Sequence, residues 1–191
     1  EEIRYWAEKG GLAGLKLHLA NSDLDFKSPE HIARLRAVFD ILNEYKLPVA
    51  IHLRNRNPEY GHEDAAIFID QVARHAPHVT LHVAHLAGWG GFDAATDGAI
   101  RAFLEAMERG ELDRSNVWFD LAAVVMPQLP DEAYLSLPDR LRQIGLDRIL
   151  FATDWDAMED PGPHRETLKQ RLPMSDSEWE QIFNNEGPYL H

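Results

Sequence analysis

Cysteine is absent from the 191 residues, which removes disulfides and thiolate metal sites together. A metal would have to be held by His, Asp or Glu, and ten histidines make such a set available. No apolar run approaches the roughly 18 residues of a membrane-spanning helix. No secretory signal is visible either, so the expected compartment is the cytoplasm. Basic charge is scarce, with 19 Lys and Arg against 32 Asp and Glu and a net charge of −13. The carboxylates are spread along the chain, as suits solvated helix faces, and they argue against nucleic acid or an anionic membrane as partner. A small-molecule substrate is the expected partner, and a homo-oligomer is compatible with the pattern. Low-complexity linkers are missing, and the length suits one domain over residues 1–191. The first residue is Glu1, in an already helical stretch, which suggests a fragment of a longer protein.

Five short apolar stretches read as strands: Gly14–Leu19, Pro48–Leu53, Val79–His85, Val117–Leu121 and Ile149–Asp154. Their starts lie about 34, 31, 38 and 32 residues apart, the length of one strand-plus-helix unit. Such alternation implies a parallel sheet with crossover helices. Ser28, Pro29 and Glu30 open the first long helix, whose buried stripe runs through Ile32, Leu35, Val38, Phe39 and Leu42. Helical patterns follow over Glu63–Arg74 and Ala94–Arg109, the latter ended by Gly110. Leu141 and Ile144 mark a short helix stopped by Gly145, and Ser177–Phe183 is a final amphipathic segment. Val124–Pro138, with three prolines, reads as a loop over the mouth of the fold.

The strands carry polar residues where a doubly covered sheet has few. Lys16 and His18 alternate with Leu15, Leu17 and Leu19. Ala50, His52 and Arg54 alternate with Val49, Ile51 and Leu53, and Leu150, Ala152 and Asp154 with Ile149, Phe151 and Thr153. A barrel explains this: aliphatic residues face the helices, and polar ones near the strand ends face the mouth. An open doubly wound sheet is the competing architecture, but no Gly-rich phosphate turn follows the first strand. In Thr80–His85 strict alternation sends His82 inward, whereas a bulge or the strand's end would choose His85. Periodicity alone leaves both open.

Several segments resemble the amidohydrolase superfamily, and more closely its amidohydrolase-related branch of decarboxylases and lactone hydrolases. They are Gly-Leu-Lys-Leu-His at 14–18, Ile-His-Leu-Arg at 51–54, Ala-His-Leu-Ala-Gly-Trp-Gly-Gly at 84–91, Trp-Phe-Asp at 118–120 and Ile-Leu-Phe-Ala-Thr-Asp-Trp at 149–155. The closing Ile182-Phe183-Asn184-Asn185 adds to the likeness. The resemblance implies a TIM-type (β/α)8 barrel of which this chain holds the last five units. The His-x-His metal pair of the family's first strand does not occur here.

The resemblance also implies roles. His52 and Asp154 would bind one divalent metal ion, zinc being the expected one. Asp154 would serve as general base, and His85 would orient water or polarise a substrate carbonyl. His82 would then be structural and packed outward. Arg54, His18, Trp89 and Trp155 would contact substrate, while Lys16 would enter an ion pair, Asp120 being the candidate partner. The implied activity is metal-dependent hydrolysis of a small amide, lactone or ester. Decarboxylation of an unsaturated carboxylic acid is one alternative, and an inert truncated barrel paired with another chain is the other.

Overall fold

All five expected strands pair in the computed structural model, which describes residues 1–126, 128–154, 160–187 and 189. They are β1 (Leu15–His18), β2 (Val49–His52), β3 (Leu81–Val83), β4 (Val117–Asp120) and β5 (Ile149–Leu150). Every pairing is parallel, and the order is β1-β2-β3-β4-β5. The helices are α1 (Glu2–Glu8), α2 (Pro29–Tyr45), α3 (His62–Gln71), α4 (Ala94–Glu108), α5 (Leu137–Ile144), α6 (Pro161–Arg171) and α7 (Asp176–Asn184). A strand order that never reverses, with right-handed crossovers, places every connecting helix on the same face. A doubly wound sheet needs a reversal, so that alternative falls.

The register shows which side chains share a face. Leu17, Ile51, Val83, Phe119 and Ile149 form one row across the sheet. This row faces the helices. Phe39 of α2, Phe68 of α3, Phe103 of α4 and Phe119 of β4 make a run of ring contacts with centroids 5.6, 6.4 and 5.5 Å apart. Burying each such side chain contributes roughly 1.5–3 kcal/mol. The opposite face carries Lys16, Ala50, His82 and Trp118 in one row, with His18 beside His52 in the next. Alternation therefore assigned the two faces correctly, His82 included.

The helix ends follow local chemistry. Ser28 accepts from the His31 N–H with Pro29 behind it, and Asp93 accepts from the Thr96 N–H at 2.8 Å. Ser175 and Glu178 form a capping box, so the last helix starts at Asp176, one residue before the expected Ser177. α6 has no counterpart in the sequence reading; it begins with Pro-Gly-Pro and buries only His164 and Leu168. β5 is shorter than expected, because the ladder to β4 ends at Leu150. Asp154 thus reaches its place by a loop rather than by strand alternation. Within the stretch read as one loop over 124–138, a 3-10 turn spans Asp131–Tyr134 and α5 begins at Leu137.

Candidate active site

At the C-terminal ends of the strands lies a cavity of about 230 Å³. Lys16, His18, His52, His85, Trp89 and Asp154 line it, with Gly90, Ala123 and Met126 along the sides. Residues from β1 and β2 and from the loops after β3, β4 and β5 thus meet at one mouth. The His18 and His52 rings are stacked with centroids 4.0 Å apart and planes 7° apart. His85 and Trp89 each meet His52 edge-on, at 5.2 and 5.6 Å. Trp89 remains 50% exposed, so it forms a wall of the cavity rather than core.

His52 is buried, and its environment disfavours the charged ring. Burial first, and then the neighbouring His18 and His85, push its pKa down to about 4. Burial and the Lys16 charge lower that of His18 as well. Both rings therefore present neutral imidazole at ordinary pH, the form able to offer a lone pair. The Nδ1 atoms of His18 and His52 are buried without a hydrogen-bond partner among the described residues. Leaving such atoms unpaired is costly unless a ligand meets them.

His85 arrives by an unusual route. Alternation ends at Val83, and His85, Leu86 and Ala87 then take left-handed backbone with φ of 56°, 52° and 63°. For residues with a Cβ this costs about 1–2 kcal/mol each, and such strain tends to mark a functional segment. Asp120 holds the turn, its Oδ1 accepting from the N–H of His85 at 2.9 Å and of Ala122 at 3.0 Å. The His85 ring lies 2.8 Å, through Nδ1, from the Ala122 carbonyl, which can only accept. Gly88 is required for a different reason: a Cβ there would lie 2.5 Å from Thr96 Oγ1 and 3.0 Å from the His85 carbonyl oxygen.

Two expectations are corrected by this geometry. His82 does not pack outward. It lies on the cavity side of the sheet, with Nε2 2.7 Å from Asp120 Oδ2 and Nδ1 2.5 Å from the Tyr189 hydroxyl. Asp120 does not pair with Lys16, because β1 and β4 are separated by two strands and both Asp120 oxygens are occupied nearer by. Arg54 is not among the residues lining the cavity; its Nη1 donates to Asp93 Oδ2 at 2.8 Å. Asp154 is exposed at the rim, itself in left-handed backbone with φ 56°. Trp155 lies outside the described residues.

The donors suit one side of a metal shell. Neutral His52 and the Asp154 carboxylate share the cavity, yet among the described residues no group of three or more His, Asp or Glu side chains is placed to hold an ion.

The structure is that of an α/β protein with a parallel sheet and a polar cavity at the C-terminal ends of its strands. A family model described as Amidohydrolase matches residues 1–185, and the chain belongs to that family. Members of this superfamily bind a divalent metal. No curated protein sequence matches the chain. Among solved structures it is similar in fold to a zinc-bound amidohydrolase from Burkholderia multivorans, with TM-score 0.61 and 15% identity over 96% of this chain and 68% of that one. A protein from Pseudomonas putida described as a 2-pyrone-4,6-dicarboxylic acid hydrolase gives TM-score 0.60 and 16% identity over 95% and 64%. The 5-carboxyvanillate decarboxylase of Sphingomonas paucimobilis gives TM-score 0.58 and 17% identity over 96% and 59%. The chain thus spans less than two thirds of the length of the last two.

Proposed function

We propose that this chain is the later part of a metal-dependent (β/α)8 hydrolase acting on a small carbonyl compound, an amide, lactone or ester. The observation that carries the reading is the convergence of His52, His85 and Asp154 on one cavity at the strand ends. The non-reversing strand order supports a barrel of which these are five units. His52 and Asp154 would hold a divalent ion, zinc by preference, with further ligands from a His-x-His pair outside this chain. When bound, that ion would polarise the carbonyl and acidify water.

The chain's own groups supply the rest. Asp154, exposed at the rim, takes a proton from the attacking water and returns it to the leaving group. With Nδ1 turned to the Ala122 carbonyl, His85 presents Nε2, its nitrogen without a protein partner among the described residues, to accept a hydrogen from the attacking water and orient it. Trp89 and Met126 shield the cavity from bulk water, and His18 backs His52 by stacking.

Decarboxylation on the same scaffold is the second reading, drawn from the fold likeness to a decarboxylase. Arg54, the residue expected to grip a substrate carboxylate, is engaged by Asp93, so under this reading Lys16 in the cavity would take that role. Supplying zinc-loaded protein that includes the His-x-His pair with lactones, esters and unsaturated acids separates the two. The hydrolase reading expects proton release in a pH-stat without carbon dioxide. Carbon dioxide evolution would transfer the chain to the decarboxylases. Failure to retain zinc through dialysis, together with inertness toward every substrate, would leave an inert scaffold.

A further inference from the structure

Beneath the cavity runs a second polar assembly that the hydrolase reading does not use. Asp120 is 3% exposed, and all its partners lie on neighbouring elements: His82 on β3 and the His85 and Ala122 amides in the two adjoining loops. Its carboxyl is held below the usual range. Burial opposes this, but the His82 hydrogen bond and the charges of His82 and His85 outweigh it. Tyr189, 107 residues beyond His82 in sequence, closes the far end, its ring stacked on His82 with centroids 5.8 Å apart. Burial, then the charge of Asp120, pushes the tyrosine hydroxyl up to about 12, so it keeps its proton.

With His82 neutral, these contacts admit one consistent set of protons. An ionised carboxylate only accepts, so His82 Nε2 carries the hydrogen toward Asp120. His82 Nδ1 is then an acceptor, and the Tyr189 O–H donates to it. Asp120 Oδ1 accepts from the His85 and Ala122 amides, which places the Ala122 carbonyl against His85. That carbonyl requires a hydrogen on His85 Nδ1 and leaves Nε2 with a lone pair. Every donor in the run has its acceptor, the condition under which a buried network specifies a single arrangement.

We propose that Tyr189, His82 and Asp120 are positioning residues, a buried relay that holds the strained His85 turn and fixes the His85 ring as the Nδ1–H tautomer with Nε2 free for the cavity. That such a ring meets substrate rests on the hydrolase reading; the tautomer itself does not. Partners of this kind that orient a reacting imidazole often matter nearly as much as the imidazole.

Nitrogen-15 spectra of the purified chain at alkaline pH, assigned with single His→Gln variants, test the relay without turnover. The wild type should show His85 protonated at Nδ1 and His82 at Nε2. Asp120→Asn keeps an oxygen toward the His85 and Ala122 amides and puts an N–H where His82 met an acceptor, so His82 should reverse to Nδ1–H while His85 stays Nδ1–H. Asp120→Ala, which releases both amides, should cost His85 its single tautomer. Tyr189→Phe, a milder change suited to the case where the Asp120 variants fail to fold, should leave His82 protonated at Nε2 but shift its Nδ1 resonance as that nitrogen loses the tyrosine hydrogen bond. A wild-type His85 protonated at Nε2 would overturn the relay. So would variants whose His82 and His85 resonances match the wild type, since a merely structural role lowers stability without moving tautomers. If the wild-type tautomers appear as described but zinc-loaded protein that includes the His-x-His pair hydrolyses no substrate, the hydrolase reading fails and the relay stands.

Discussion

β1 and β4 carry the same alternation of apolar and polar side chains, yet their surroundings are opposite. All four residues of β4 are buried, and none of β1 is. On β4 the polar row ends in Asp120, whose two oxygens are fully engaged. On β1 it ends in exposed Lys16 and in His18, whose Nδ1 lacks a partner among the described residues. The difference separates support from reaction. Polar atoms with completed partners hold other groups in place, whereas unpaired atoms at a cavity mark where ligand or substrate must complete the set. Under the hydrolase reading the β3–β4 side is the frame that holds His85 in place, and β1, β2 and the Asp154 rim are the side left open to ligand.

The sharpest break between the two sides is expected at Asp154. Asp154→Asn should lower kcat by about 10²–10⁴-fold, the usual contribution of a general base. Because Asp154 is exposed, its unfolding free energy should stay within about 0.5 kcal/mol of wild type. Steady-state rates and urea denaturation on the same preparation measure both. A rate within ten-fold of wild type would remove Asp154 from the chemistry.

On the frame side the expected damage is to stability. Gly88→Ala forces a Cβ to 2.5 Å from Thr96 Oγ1, and Thr96 is completely buried with no room to yield. Overpacking of this kind costs about 1–3 kcal/mol, readable as a lower urea midpoint. An unchanged midpoint would show that the strained turn can move, and that the frame is softer than its contacts imply.

A third effect depends on pH. The His52 imidazole drops from an ordinary 6.5 to about 4 in the folded chain. In metal-free protein the unfolded chain binds this proton from about pH 6.5 downward, while the folded chain refuses it until about pH 4. Stability is therefore present above the upper value and is lost as pH falls through the window between them. Each unit corresponds to about 1.4 kcal/mol, so the loss is on the order of 2–3 kcal/mol. Asp120, held below the ordinary carboxylate range, contributes its own loss at lower pH. Replacing His52 with Gln should flatten the upper part of the slope, and a slope that persists would place the titrating group elsewhere.

Much of the frame was legible from residue order. β-branched and apolar alternation located five strands and their faces, and Ser28-Pro29 and Gly145 marked helix ends by ordinary capping chemistry. The parts that escaped depend on contacts distant in sequence or on backbone that residue type does not announce. Leu86 and Ala87 give no hint of left-handed φ, because nothing local favours it; Asp120 imposes it from β4. Family likeness sent His82 outward where plain alternation had it inward, and the alternation was right. Its partner Tyr189 stands too far along the chain for any pattern to join them. α6 was missed because its burial is confined to His164 and Leu168, too little for a visible stripe.

The smallest expected effect decides most about substrate. Arg54 begins the loop after β2, but its guanidinium is spent on Asp93, which also accepts from the Thr96 amide and hydroxyl at 2.8 and 2.7 Å to cap α4. A partly exposed pair of this kind contributes about 0.2–1 kcal/mol. Arg54→Ala should therefore lower stability by no more than about 1 kcal/mol and leave KM nearly unchanged. If KM for an anionic substrate instead rose ten-fold, about 1.4 kcal/mol, Arg54 must leave Asp93 to grip a carboxylate. Asp93→Asn sharpens the choice, because Asn still caps a helix but releases the arginine. Under the hydrolase reading that variant binds anionic substrates no better than wild type. A lower KM confined to carboxylates would move Arg54 from the frame to the side open to ligand.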